Sequence, residues 1–107
     1  MKAINDYLHA HDQKQIVMVD PGVAYASDYP PYLRGAELDV WLKRANGSDW
    51  FGVVWPGVVV YPDFTSNKIQ EYWDNEFATF FTPHGGIDID GLWMLVYESL
   101  HSTYHRR

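Results

Sequence analysis

The sequence contains no cysteine, which excludes a disulfide framework and any thiolate metal site. Cationic side chains are few. Eight Lys and Arg stand against 14 Asp and Glu, a formal net charge of −6, so no cationic face is available for nucleic acid or an anionic membrane surface. The only basic cluster is Arg106-Arg107 at the end. No apolar run approaches the roughly 18 residues that span a bilayer, and the opening Met1-Lys2-Ala3-Ile4-Asn5-Asp6 lacks the apolar core of a secretory leader. Glycine-rich phosphate loops, nucleophile elbows, internal repeats and low-complexity tracts are also missing, and no cofactor is expected.

Aromatic residues are what the chain has in plenty: 17% of the sequence, within 47% hydrophobic residues overall. Ring faces of this number suit an enzyme that stacks on the C–H faces of sugars. They equally suit the inside of something larger. The 107 residues are enough for one small domain but well short of the about 250 typical of a complete (β/α)8 barrel.

Along the chain, Ala3, Ile4, Tyr7 and Leu8 are spaced three and four apart, which predicts an amphipathic helix over residues 2–12. Residues 15–19, Gln15 followed by the unbroken apolar run Ile16-Val17-Met18-Val19, are closed by Asp20-Pro21-Gly22, the pattern of a strand buried on both faces in a parallel sheet. Residues 21–65 hold five of the six prolines and read as a long β-rich insertion after that strand. Its strand candidates are 38–43, 50–55 and 58–61, with Asn46-Gly47-Ser48 as the turn between the first two. Ser66 caps a helix over 67–81 whose apolar stripe is Ile69, Tyr72, Trp73, Phe77, Phe80 and Phe81. A second buried strand follows at 92–96. The expected class is α/β: strand, long loop, helix and parallel strand, one right-handed crossover.

Five segments carry a resemblance to a known family. They are Ile16-Val17-Met18-Val19-Asp20-Pro21; Arg34 to Val40; Val54-Trp55-Pro56-Gly57; Tyr61-Pro62-Asp63-Phe64 with Tyr72-Trp73 downstream; and Asp90-Gly91-Leu92-Trp93-Met94. In their order and spacing they resemble glycoside hydrolase family 31, over nearly all of residues 1–94. The resemblance implies a fragment of a (β/α)8 TIM barrel, from about its third strand to its fourth. It also implies a parent enzyme that hydrolyses terminal α-glucosidic bonds with retention, on an α-glucoside or malto-oligosaccharide. The family continues from Trp-(Ile/Met) into Asp-Met-Asn-Glu, where the aspartate is the nucleophile. Here Met94 is followed by Leu95-Val96-Tyr97-Glu98. Leu95 therefore occupies the nucleophile position, the family's acid/base aspartate falls beyond residue 107, and residues 95–107 form an unmatched tail. A shifted frame, an unspliced intron or a degenerate gene copy would each produce such a tail.

Asp20 by itself reads as the cap of an Asp-Pro-Gly turn; the resemblance instead makes it the carboxylate that accepts hydrogen bonds from glucose hydroxyls. Trp93 reads alone as a core residue and by resemblance as a wall of the glucose pocket. Trp55, before a Pro-Gly turn, is a further candidate for that pocket, whereas Trp73 is expected to pack. Asp88 and Asp90 share a face but precede their strand, which predicts solvated turn residues rather than a catalytic pair. Asp63 is expected to make turn hydrogen bonds. His9 with His11, and His101 with His105, are expected to be solvated, with no metal site. Asn46-Gly47-Ser48 is an N-glycosylation sequon; if used, it implies a parent enzyme on the secretory route. Two other functional classes fit the same residues: a vestigial carbohydrate-binding module, or a non-functional truncated gene product.

Overall fold

The computed structural model describes residues 1–82 and 85–94. The elements are α1 (Lys2–Ala10), β1 (Ile16–Val19), β2 (Val23–Ala24), α2 (Pro30–Leu38), β3 (Phe51–Val54), β4 (Gly57–Val60), α3 (Ile69–Phe80) and β5 (Gly91–Met94). They fall into two compact units. One comprises Met1–Asp20 with Phe77–Arg107, the other Pro21–Glu76.

In the first unit β1 and β5 pair in parallel, with Ile16 opposite Gly91 and Val19 opposite Met94. The predicted parallel pairing is thus present. The predicted burial of both faces is not: Ile16, Met18, Trp93 and Met94 are all more than half exposed. Parallel strands are buried on both faces only when further strands flank them and helices cover them. Among the described residues each of these two strands has a single partner. The helix α1 forms where expected, but the stripe meant to be buried is partly open, with Ile4 and Tyr7 exposed. Its buried residue is Asn5, whose Nδ2 donates to the carbonyl of Asp88 at 2.7 Å.

The second unit holds the three-stranded antiparallel sheet, in the order β2-β4-β3. Its core is Val23, Val40, Trp41, Val60 and Tyr72, with Tyr32, Leu38, Ile69 and Trp73 packed around it. Trp41 is the hub. Tyr32 stacks on it at 5.9 Å and Tyr72 meets it edge-on at 5.4 Å. The helix α2 replaces the start of the predicted strand over 38–43. Pro30 and Pro31 start it, where a missing N–H costs nothing and the fixed φ is already helical. Asp39, at φ 54°, closes it in the left-handed region, and the Val40 N–H returns to the Gly35 carbonyl. Only isolated bridges remain of that strand, Trp41 with Pro62 and Lys43 with Asp49.

The α3 helix begins near its predicted start, with the Ser66 hydroxyl accepting the Lys68 N–H. Arg34 grips Glu76 through two parallel hydrogen bonds, the Nη2–Oε2 pair at 2.7 Å. The Tyr72 hydroxyl donates to the Pro31 carbonyl at 3.1 Å, and burial pushes its pKa well above the usual tyrosine value. These contacts clamp α2 onto α3. No helix among the described residues is long and apolar enough to cross a membrane.

Candidate functional site

In parallel pairing, residues opposite one another in register point to the same face, and that face repeats every second residue. The register sets Met18 beside Trp93 and Ile16 beside Gly91. One face of the sheet is therefore an apolar surface carrying Ile16 (68% exposed), Met18 (53%) and Trp93 (59%). Asp20 follows β1 directly and is exposed. No hydrogen bond reaches its carboxylate among the described residues, so the carboxylate is not committed to holding the Asp-Pro-Gly turn. Since the strands run parallel, their C-terminal ends share one edge of the sheet. The last register pair is Val19 with Met94, and the next positions along the two strands are Asp20 and Leu95. Leu95 itself, like the rest of the tail and His101 and His105, lies outside the described residues.

The opposite edge of the same unit is tied down by Asp90. Its Oδ2 accepts the Gln15 backbone N–H at 2.8 Å and the His9 Nε2–H at 2.7 Å, and Lys14 Nζ stands 3.4 Å from Oδ1. Asp90 was expected to be a solvated turn residue, and His9 a solvated histidine. Asp90 is exposed as expected and His9 half-buried, but both are also hydrogen-bonded; the residues that engage Asp90 come from the far end of the chain and no local spacing announces them. The hydrogen bond from Gln15, then that from His9, hold the Asp90 carboxyl down at about 2, against an ordinary value of 3.8. A depressed carboxyl stabilises the fold above its unfolded value and loses that contribution as pH falls toward the folded one. The hold of α1 on the start of β5 should therefore weaken between about pH 4 and pH 2, and Asp90→Asn should flatten that dependence. Hydrogen exchange over residues 2–20 as a function of pH reads this directly; unchanged protection down to pH 2 would contradict it. His11 is also engaged locally, its Nδ1–H donating to the Tyr7 carbonyl at 2.8 Å.

Trp55 belongs to the second unit. It sits with Pro56 in the two-residue turn that joins β3 to β4, where Val54 pairs with Gly57, and its ring is 96% exposed. Gly57 takes φ 100°, a conformation that favours glycine. Asp63 behaves as expected, its Oδ1 accepting both the N–H and the hydroxyl of Thr65. Trp73 packs against the core as expected.

One feature of this unit was not anticipated. An open groove of about 590 Å3 is lined by Tyr25, Ala26, Ser27, Asp28, Tyr32 and Leu33, with the Tyr25 and Tyr32 rings edge-to-face at 5.0 Å. The Pro30-Pro31 pair was the available signal: once a helix starts there, Tyr25 to Asp28 become the loop that faces its first turn. Among the described residues no three His, Asp or Glu side chains come together as metal ligands would.

Comparison with known proteins bears on all of this. The family model described as "Glycosyl hydrolases family 31 TIM-barrel domain" matches residues 1–105. The "Probable alpha/beta-glucosidase agdC" of Aspergillus flavus is 54% identical over 94 residues, which is 88% of this chain and 11% of that protein. The family 31 alpha-glucosidase of Bacteroides thetaiotaomicron matches in structure at 41% identity and a TM-score of 0.63, over 70% of this chain and 13% of that one. A glucosidase II alpha subunit matches over 86% of this chain and 10% of its own, with a TM-score of 0.70. At 22% identity that match speaks for the fold alone. The chain thus spans about a tenth of the relatives it matches.

Proposed function

The chain belongs to glycosyl hydrolase family 31, and from that premise we propose that it is one segment of the TIM barrel of a retaining α-glucosidase. The segment runs from about the third strand to the fourth and carries part of the glucose pocket. Asp20 accepts hydrogen bonds from hydroxyls of the glucose unit. Trp93 walls the pocket, and Trp55 is a further sugar-contacting candidate. The observation that carries this reading is the shared edge of β1 and β5. The free carboxylate of Asp20 follows one strand there, and the exposed indole of Trp93 stands one residue short of the end of the other. On a barrel, chemistry is assembled at the C-terminal ends of the strands.

Retention needs a nucleophilic carboxylate and an acid/base carboxyl about 5–5.5 Å away. Leu95 stands where the family's nucleophile would be and has no lone pair to offer an anomeric carbon. The segment contributes binding, and the bond-breaking groups have to come from elsewhere. The substrate class is an α-glucoside or malto-oligosaccharide.

The test compares two proteins. In the first, residues 1–94 replace the matching segment of the Bacteroides α-glucosidase, whose own nucleophile and acid/base are kept. That chimaera should hydrolyse a chromogenic α-glucoside. The second is the 107-residue chain alone, which should show no turnover above a blank, with Leu95→Asp also failing because the acid/base is still missing. Inhibitor-sensitive turnover by the chain alone would sink the assignment of Leu95. A folded chimaera that binds no glucoside would sink the pocket assignment.

A further inference from the structure

Between α2 and β3 the chain makes a turn whose base is held by side chains and whose tip is exposed to solvent. At the base, Lys43 pairs with Asp49 across the bridge, its Nζ 2.6 Å from Oδ1 and 2.9 Å from Asp39 Oδ1. The Trp50 N–H returns to the Leu42 carbonyl at 2.7 Å, and Arg44 lies over the Trp50 ring. These hydrogen bonds, first to Asp49 and then to Asp39, raise the Lys43 pKa above its ordinary value. At the tip are Asn46, Gly47 and Ser48, all exposed. Gly47 takes φ 85°, and a Cβ built there would meet nothing within 4 Å.

We propose that Asn46 is an acceptor for an N-linked oligosaccharide. The triplet Asn46-Gly47-Ser48 has the required hydroxyl two residues on and no intervening proline. The side chains already engage each other. The Ser48 hydroxyl donates to Asn46 Oδ1 at 2.7 Å and the Ser48 N–H to the same oxygen at 3.1 Å. The carboxamide oxygen is thereby occupied, while Nδ2, the atom that takes the sugar, has no partner among the described residues. In the transfer, Nδ2 displaces the diphosphate from the anomeric carbon of a polyprenyl-diphosphate-linked oligosaccharide. One N–C bond forms and one C–O bond breaks. The Nδ2 proton passes to a base of the transferase, and the diphosphate leaves on its lipid. A bulky polar substituent at this tip displaces no packed side chain, and the paired base keeps the turn in shape beneath it. The inference requires that the protein pass through a lumen that holds such a transferase; it does not depend on the reading of the sugar pocket.

The test expresses the full chain behind a cleavable secretory leader in yeast and measures its mass before and after peptide N-glycosidase in 18O water. Asn5, Asn67 and Asn75 are not followed two residues on by Ser or Thr, so an N-glycan can be assigned to one site. One glycan's mass is expected, with conversion of Asn46 to 18O-labelled aspartate. The modification should disappear in Asn46→Gln and in Ser48→Ala and persist in Ser48→Thr. Transfer takes place on the nascent chain, so a variant that folds badly still reports. A lumenal chain with its leader removed and Asn46 unmodified overturns the proposal. A glycan that survives Asn46→Gln overturns it as well.

Discussion

Replacing Asp20 by Asn or by Ala in a complete enzyme built around residues 1–94 should lower kcat/KM by about 2–4 kcal/mol, roughly 30- to 1,000-fold, and leave thermal stability nearly unchanged. The size follows from the role. A carboxylate that accepts hydrogen bonds from two sugar hydroxyls loses charge-assisted bonds in the amide variant and every bond in the alanine variant. The stability side follows from the structure. Asp20 is exposed and accepts no hydrogen bond among the described residues, so its removal orphans no buried donor, and exposed sites of this kind usually shift stability by less than about 0.5 kcal/mol. A turn cap would behave in the opposite way, losing about 0.5–2 kcal/mol of stability while activity per folded molecule stayed intact. Thermal melting and steady-state kinetics on the same preparations separate the two. Stability loss with activity retained would end the sugar-contact assignment.

Much of the frame was legible because it rests on local pattern. The unbroken run at 16–19 predicted β1, the stripe from Ile69 to Phe81 with Ser66 before it predicted α3, and the run after Gly91 predicted β5, already in parallel with β1. What could not be read depends on partners distant in sequence. Leu38 to Lys43 has a strand's composition, yet Leu38 ends a helix because Pro30 and Pro31 nucleate α2 upstream and Asp39 turns left-handed to stop it. Burial of the first unit's strands was overestimated, since apolar composition says that a strand can be buried and not whether its neighbours are there to bury it. Asp90 looked like a solvated turn acid, and its three partners lie at least 75 residues away. For the site, position was legible and commitment was not. That Asp20 directly follows β1 is a sequence statement; that its carboxylate accepts no hydrogen bond among the described residues is a structural one.

The same dependence on distant partners reverses an ordinary rule at Gly35. Glycine inside a helix is about 1 kcal/mol worse than alanine, so Gly35→Ala in α2 should by propensity alone stabilise the second unit. The structure predicts the opposite. A Cβ at Gly35 would fall inside the indole of Trp41, overlapping Cζ2, Cη2 and Cε2. That ring is 2% exposed and wedged between Tyr32 and Tyr72, so it has no free volume to move into. Overpacking a core costs about 1–3 kcal/mol when neighbours can yield, and expelling the indole costs about 3–5 kcal/mol, as truncating a buried Trp does. With no room for the ring to yield, the second cost applies, and after the helical gain of about 1 kcal/mol the net loss is about 2–4 kcal/mol. Ala36, next along α2 and exposed, supplies the control: Ala36→Gly should cost about 1 kcal/mol by propensity alone. In the chimaeric enzyme, melting temperature and hydrogen exchange over residues 21–76 should therefore place Gly35→Ala well below Ala36→Gly. A Gly35→Ala variant more stable than its parent would mean that Trp41 does not pack against α2 and that the core of this unit is built differently.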